Sequence, residues 1–221
     1  MNTIYNESLI FKKKEVSLSA MTFLYQEMIS NIHNDCKDIN EFETRLSKMG
    51  YNIGLRLIEL LNFRASATFT SKNFLSSGSN TSNGSSDATI TASDQESSLT
   101  SFINRMRRRD LKILDVLQFI HGSLWSYLFG HVSNDLVKSS ERENEYMIVD
   151  NKPKLTQFIS GKNVSCDYFV CGIIHGYLTS AGFPCKVTPH SMPQDGHDNR
   201  VVFLIQFDKQ VLEREGLRIS Q

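Results

Sequence analysis

Residues 163 to 188 constrain the chain most, because they specify a capped helix that is delivered straight into a strand. Ser165 is a suitable N-cap, and Asp167 places negative charge at the positive end of the helix. Phe169, Val170, Ile173, Ile174, Tyr177, Leu178 and Ala181 then recur at helical spacing. Gly182 offers a left-handed C-cap, and Pro184 forbids continuation. Inside the helix Gly172 and Gly176 stand four apart, each costing about 1 kcal/mol relative to Ala. That loss is recovered only if the missing side chains let another backbone pack close.

The helices before this stretch follow the same logic. A first helix starts at Ser17 or Ser19 and carries Met21, Leu24, Tyr25, Met28 and Ile32 along one stripe, widened by Phe23 and Ile29. A helix apolar over more than one face needs cover on more than one side, from its own domain or from another chain. A second helix opens at Asp38 or Asn40, with Glu43 placed for a capping box, and its stripe is Phe42, Leu46, Met49, Ile53, Leu57, Leu60 and Leu61. Gly50 and Gly54 sit on a neighbouring face of that helix. Their spacing admits a second helix backbone, either from the same subunit or from a partner.

Residues 1 to 14 read as a leader ending in Lys12, Lys13 and Lys14. A run of three lysines is ordinarily solvated, and beside a membrane it adds weak attraction to anionic lipid. From about Thr68 to Ser101 the composition turns to Ser, Thr, Asn and Gly. A segment so poor in apolar residues cannot offset its chain entropy, so a disordered insert is expected there. One domain over 15–221, interrupted by 68–101, is the simplest organisation. A third helix follows Arg105, Arg107, Arg108 and Arg109, runs through Leu111, Leu117, Ile120, Leu124 and Trp125, and ends at Gly130. Strand candidates are 135–139 and 145–150, then 185–189 and 200–207, with a closing helix over 211–219. Grouped helices with two hairpins predict an α+β fold, a helical layer on a small antiparallel sheet.

Acidic and basic residues balance at 24 each, so overall charge gives no argument for nucleic acid. The four cysteines (Cys36, Cys166, Cys171, Cys185) lack metal-finger spacing, and the N-terminus has no apolar run of signal-peptide length. Free thiols in a reduced cytosolic setting are expected, with the Asn-x-Ser/Thr triplets at Asn6, Asn80, Asn83 and Asn163 unglycosylated. No phosphate loop, dinucleotide fingerprint, nucleophile elbow or zinc-protease motif occurs. No cofactor, metal or catalytic residue is therefore assigned. The best thiol and base pair, Cys171 with His175 four residues on, gives a weak cysteine-hydrolase reading.

Four segments in order carry a family resemblance: 15–20 (Glu-Val-Ser-Leu-Ser-Ala), 50–56 (Gly-Tyr-Asn-Ile-Gly-Leu-Arg), 125–130 (Trp-Ser-Tyr-Leu-Phe-Gly) and 166–188 with its Ser-Ala-Gly-Phe-Pro-Cys-Lys-Val-Thr ending. Together they resemble the small subunits of the TRAPP vesicle-tethering complex, most closely the branch of its fifth mammalian subunit. The resemblance implies a rod of related subunits that pair through helices one and two. It further implies a complex that exchanges nucleotide on a Rab GTPase in ER-to-Golgi transport, with this chain a scaffold, cytoplasmic and peripheral at ER and cis-Golgi membranes. The residues expected at the subunit contact are Met21, Leu24, Tyr25, Met28, Gly50, Ile53, Gly54 and Leu57. An alternative is a stand-alone lipid- or acyl-binding module of the same fold. A sister subunit carries a buried acyl group on a cysteine near the end of helix two, where this chain has Leu61, Asn62, Phe63 and Arg64.

Overall fold

In the computed structural model, residues 16–76, 110–159 and 165–219 are described. By contact the chain forms two units, one of residues 1–14 and 59–109, the other of residues 15–58 and 110–221. The second holds the sheet and the packing below. Five helices lie among the described residues: α1 (Leu18–Asp35), α2 (Ile39–Ser76), α3 over 113–129, α4 (Tyr168–Ala181) and α5 (Lys209–Ile219). The strands are β1 (Asp135–Lys138), β2 (Glu145–Asp150), β3 (Cys185–Ser191) and β4 (Val201–Phe207). The hairpins β1–β2 and β3–β4 join through β2 and β4, so the antiparallel sheet has the order β1-β2-β4-β3. The α+β arrangement of helices on two hairpins is the one expected.

Helix starts differ from expectation in instructive ways. Ser17 caps α1 by position alone, its hydroxyl turning to Ser19 instead of a free amide. At α2 it is Glu41, not Glu43, that reaches back, accepting from the Lys37 amide at 3.1 Å. Glu43 is used elsewhere, in a hydrogen bond with the Tyr168 hydroxyl. The N-cap of α4 is Asp167 and not Ser165, and its carboxylate accepts from the buried Thr156 hydroxyl at 2.7 Å. Helix α2 also runs on to Ser76, nine residues into the Ser-rich stretch. Once nucleated, a helix propagates cheaply through Ser and Thr, and the next glycine is Gly78. The rest of the insert, the leader and the arginine cluster lie outside the described residues.

Helix α4 is the centre of the core, with ten of its fourteen residues buried. It packs on β3, and Tyr177 stacks on Phe119 of α3 at 5.8 Å. Trp125 of α3 meets Phe203 of β4 edge-on at 5.5 Å and donates to the buried Asp150 carboxylate at 3.1 Å. Between its α-helical segments α3 makes one π-helical turn, Ile120–Leu124. There the His121 carbonyl accepts from the Ser133 amide at 3.1 Å, tying the helix to the loop before β1. Gly130 and Gly182 end α3 and α4 with φ of 74° and 83°, the left-handed caps the sequence predicts. Each sheet edge has one position that cannot serve strand addition. On β1 the Leu136 amide is held by the Asp135 carboxylate at 2.8 Å, and β3 contains Pro189, which has no amide to offer.

Candidate partner-binding surface

The two glycine pairs find each other. A side-chain carbon built at Gly50 would overlap the Phe169 carbonyl oxygen, and one at Gly54 the Ile173 carbonyl oxygen. Reciprocally, Gly172 would strike the Ser47 carbonyl and Gly176 the Tyr51 carbonyl. Helices α2 and α4 thus cross backbone to backbone, with the four glycines at the contact.

This settles where half of the eight expected contact residues go. Gly50 and Gly54 face the chain's own α4, so of the two readings their spacing admits, packing within the subunit is the one observed. Tyr25 is buried at 2% exposure, its hydroxyl donating to the Cys166 carbonyl at 2.6 Å and its ring 5.4 Å from Phe169. Burial raises its pKa, so the phenol stays neutral. Leu57 is buried as well. These four are interior in the single chain and lie behind the helix surface. Met21, Leu24 and Ile53 are exposed, at 37, 64 and 40%, and Met28 is half-buried.

What remains is an unusual pair of helix faces. Over its 18 residues α1 buries only Thr22 and Tyr25. Met21, Leu24 and Met28 follow one another at helical spacing, and Ile53 offers apolar surface on α2. Met49 and Leu18 belong to the same exposed apolar set and were absent from the expected contact, although the four-residue step from Met49 to Ile53 was a signal for the first.

The thiol and base pair is disarmed. Burial pushes the Cys171 thiol well up, the reverse of what a nucleophile requires. The half-buried His175 lies 5.0 Å from the Tyr51 ring. Desolvation lowers its pKa below the ordinary 6.5, with Asp208 pulling partly the other way. The unfolded chain therefore binds this proton before the folded one does. Stability is complete above about pH 6.5 and is lost as pH falls from there toward the lower folded value. Denaturant midpoints at about pH 7.5 and about pH 5.5 should differ less in His175→Gln than in the parent chain.

A cavity of ≈ 10 Å³ lies among Trp125, Asp150, Thr156, Asp167 and Val170, about the room one water needs. Among the described residues no helix is long and apolar enough to cross a membrane, and no three His, Cys, Asp or Glu cluster as metal ligands.

The chain combines a closed core with helix faces left apolar. The profile of the transport protein particle (TRAPP) component family matches residues 21–208. Trafficking protein particle complex subunit 31 of Saccharomyces cerevisiae is 62% identical, covering 98% of this chain and 84% of that protein. Trafficking protein particle complex subunit 5 of Dictyostelium discoideum is 35% identical, covering 92 and 91%. The crystal structure of a trafficking protein particle complex subunit 3 from Naegleria fowleri, covalently bound to palmitic acid, shares the fold at a TM-score of 0.56 and 19% identity, covering 87 and 95%. The chain belongs to the TRAPP component family, whose relatives are trafficking protein particle complex subunits.

Proposed function

We propose that the chain is a non-catalytic scaffold subunit that pairs with a related small TRAPP subunit through α1 and α2. In this reading Met21, Leu24, Met28 and Ile53 form the contact, while Tyr25, Gly50, Gly54 and Leu57 hold the two helices at the right spacing behind it. The carrying observation is that α1 buries only two of its eighteen residues while presenting several large apolar ones. Burying each such side chain against a partner is worth about 1.5–3 kcal/mol, and association costs at least about 4 kcal/mol in lost freedom. Several must be buried together for a stable pair. The assembled complex would act as a nucleotide exchange factor for a Rab GTPase in ER-to-Golgi transport, peripheral at ER and cis-Golgi membranes, and this chain would contribute position, not chemistry.

The test is co-purification. Met21→Glu combined with Leu24→Glu buries two charges in the contact and should abolish recovery of the partner subunit. Both side chains are exposed in the isolated chain, so the variant should keep its own melting temperature. Undiminished recovery of the partner would sink the proposed interface.

A further inference from the structure

Charge divides the two exposed helix faces. On α1, Met21, Leu24, Met28, Asn31 and Asp35 follow one another at steps of three and four residues, which makes them one stripe of the helix. Met21, Leu24, Asn31 and Asp35 are exposed and Met28 is half-buried. The carboxylates of α1 are Glu27 and Asp35, and the helix contains no lysine or arginine. Glu27 borders the stripe, accepting from the Asn31 side-chain amide at 3.4 Å. Asp35 is the last residue of the helix, where negative charge opposes the macrodipole. A cation arriving from another helix relieves that opposition.

Helix α2 carries the opposite sign. Arg45, Met49, Ile53 and Arg56 follow at steps of four, four and three residues and are all exposed. Lys48, three residues after Arg45, adds to the same sign. Glu41 offsets part of it through a pair with Arg45 at 2.7 Å, but both partners are exposed and such pairs hold weakly. Glu43 is engaged by the Tyr168 hydroxyl. Among the described residues no ion pair joins α1 to α2. Within one chain, then, the acidic and basic faces leave each other unpaired.

A surface that closes about a two-fold axis must be complementary to its own copy. Setting α1 on α1 opposes carboxylate to carboxylate, and setting α2 on α2 opposes arginine to arginine. Setting α1 of each chain on α2 of the other brings acid to base twice, and buries Met21, Leu24 and Met28 against Met49 and Ile53. Glu27 and Asp35 are eight residues apart and Arg45 and Arg56 eleven, about 12 and about 16 Å along their helices. The long arginine side chain spans that difference. We infer that, in the partner's absence, a second copy of this chain occupies the face, forming a two-fold homodimer in which α1 of each protomer lies on α2 of the other. This deepens the pairing surface proposed above and rests on it. Apolar contact supplies the affinity, while the charges decide which helix meets which. The related subunit competes for the same face by mass action.

The experiment is sedimentation equilibrium of the full chain alone, at low and high salt. The parent should form dimers whose dissociation constant rises with salt. One variant combines Glu27→Lys with Asp35→Lys, the other Arg45→Glu with Arg56→Glu. Each should dimerise at least about tenfold more weakly, because like charges then meet at both contacts. All four side chains are exposed, so melting temperatures should hold. Mixed in equal amounts, the two variants should recover the parent's affinity as a mixed dimer, since every acid again meets a base. A parent that stays monomeric, a variant that dimerises as tightly as the parent, or a mixture no tighter than its components overturns the inference. Recovery of the related subunit by a chain that is monomeric alone overturns self-pairing and leaves the proposed subunit contact standing. Failure of both strikes the face itself.

Discussion

Gly172→Ala is expected to destabilise the chain by about 3 kcal/mol, lowering the melting temperature by roughly 6–12 °C for a protein of this size. Two effects of opposite sign compete. In an unconstrained helix the added methyl is worth about 1 kcal/mol in favour of Ala. At Gly172 that methyl would overlap the Ser47 carbonyl oxygen and stand 2.9 Å from the Tyr51 amide nitrogen. Both are main-chain atoms of α2 and have no rotamer to escape into, so the helices must separate and open the core between them. Overpacking wins. The same substitution at Gly216 of α5 meets nothing within 4 Å and should gain up to about 1 kcal/mol. Thermal melting of the two variants checks the sign of each, and a Gly172→Ala chain melting at or above the parent would refute the backbone crossing.

Those glycines also show what sequence can and cannot carry. That each pair invites a backbone is legible from its spacing and cost alone. That Gly50 and Gly54 meet Gly172 and Gly176 is not, because a period is a local property and pairing is a tertiary one. The same divide runs through the expected contact. Hydrophobic spacing places Met21, Leu24, Tyr25 and Met28 on one stripe, yet the structure turns Tyr25 inward to Cys166 and leaves Leu24 out. Within a stripe, the choice between interior and surface rests on which neighbour arrives, here Phe169 of α4. Caps misled for a related reason. Asp167 and Glu43 are both suitable at helix starts, but distant partners compete for them, and Thr156 takes Asp167 while Tyr168 takes Glu43. The strands and left-handed caps were legible because alternation, glycine and proline act locally.

Trp125→Ala should cost about 4 kcal/mol, since the ring is almost fully buried, packs on Phe129 and Phe203, and holds Asp150. Trp125→Phe separates the parts. It keeps most of the packing but removes the indole donor from a carboxylate that is 2% exposed, leaving it the Lys152 amide at 3.0 Å and His131 at 3.5 Å. A buried acceptor deprived of one donor costs about 1–3 kcal/mol. Urea denaturation of Trp125→Phe, Asp150→Asn and the double variant, read at a common slope, gives the coupling directly. A coupling near zero would mean the indole bond contributes nothing. Because Trp125 and Asp150 join α3 to β2 and neither lies on α1 or α2, these variants should still recover the partner subunit below their lowered melting temperature. Met21→Glu with Leu24→Glu should do the reverse, keeping the fold and losing the partner. The core and the partner-binding face of the chain would then be separable functions, joined where Tyr25 and the four glycines bring α1 and α2 against α4.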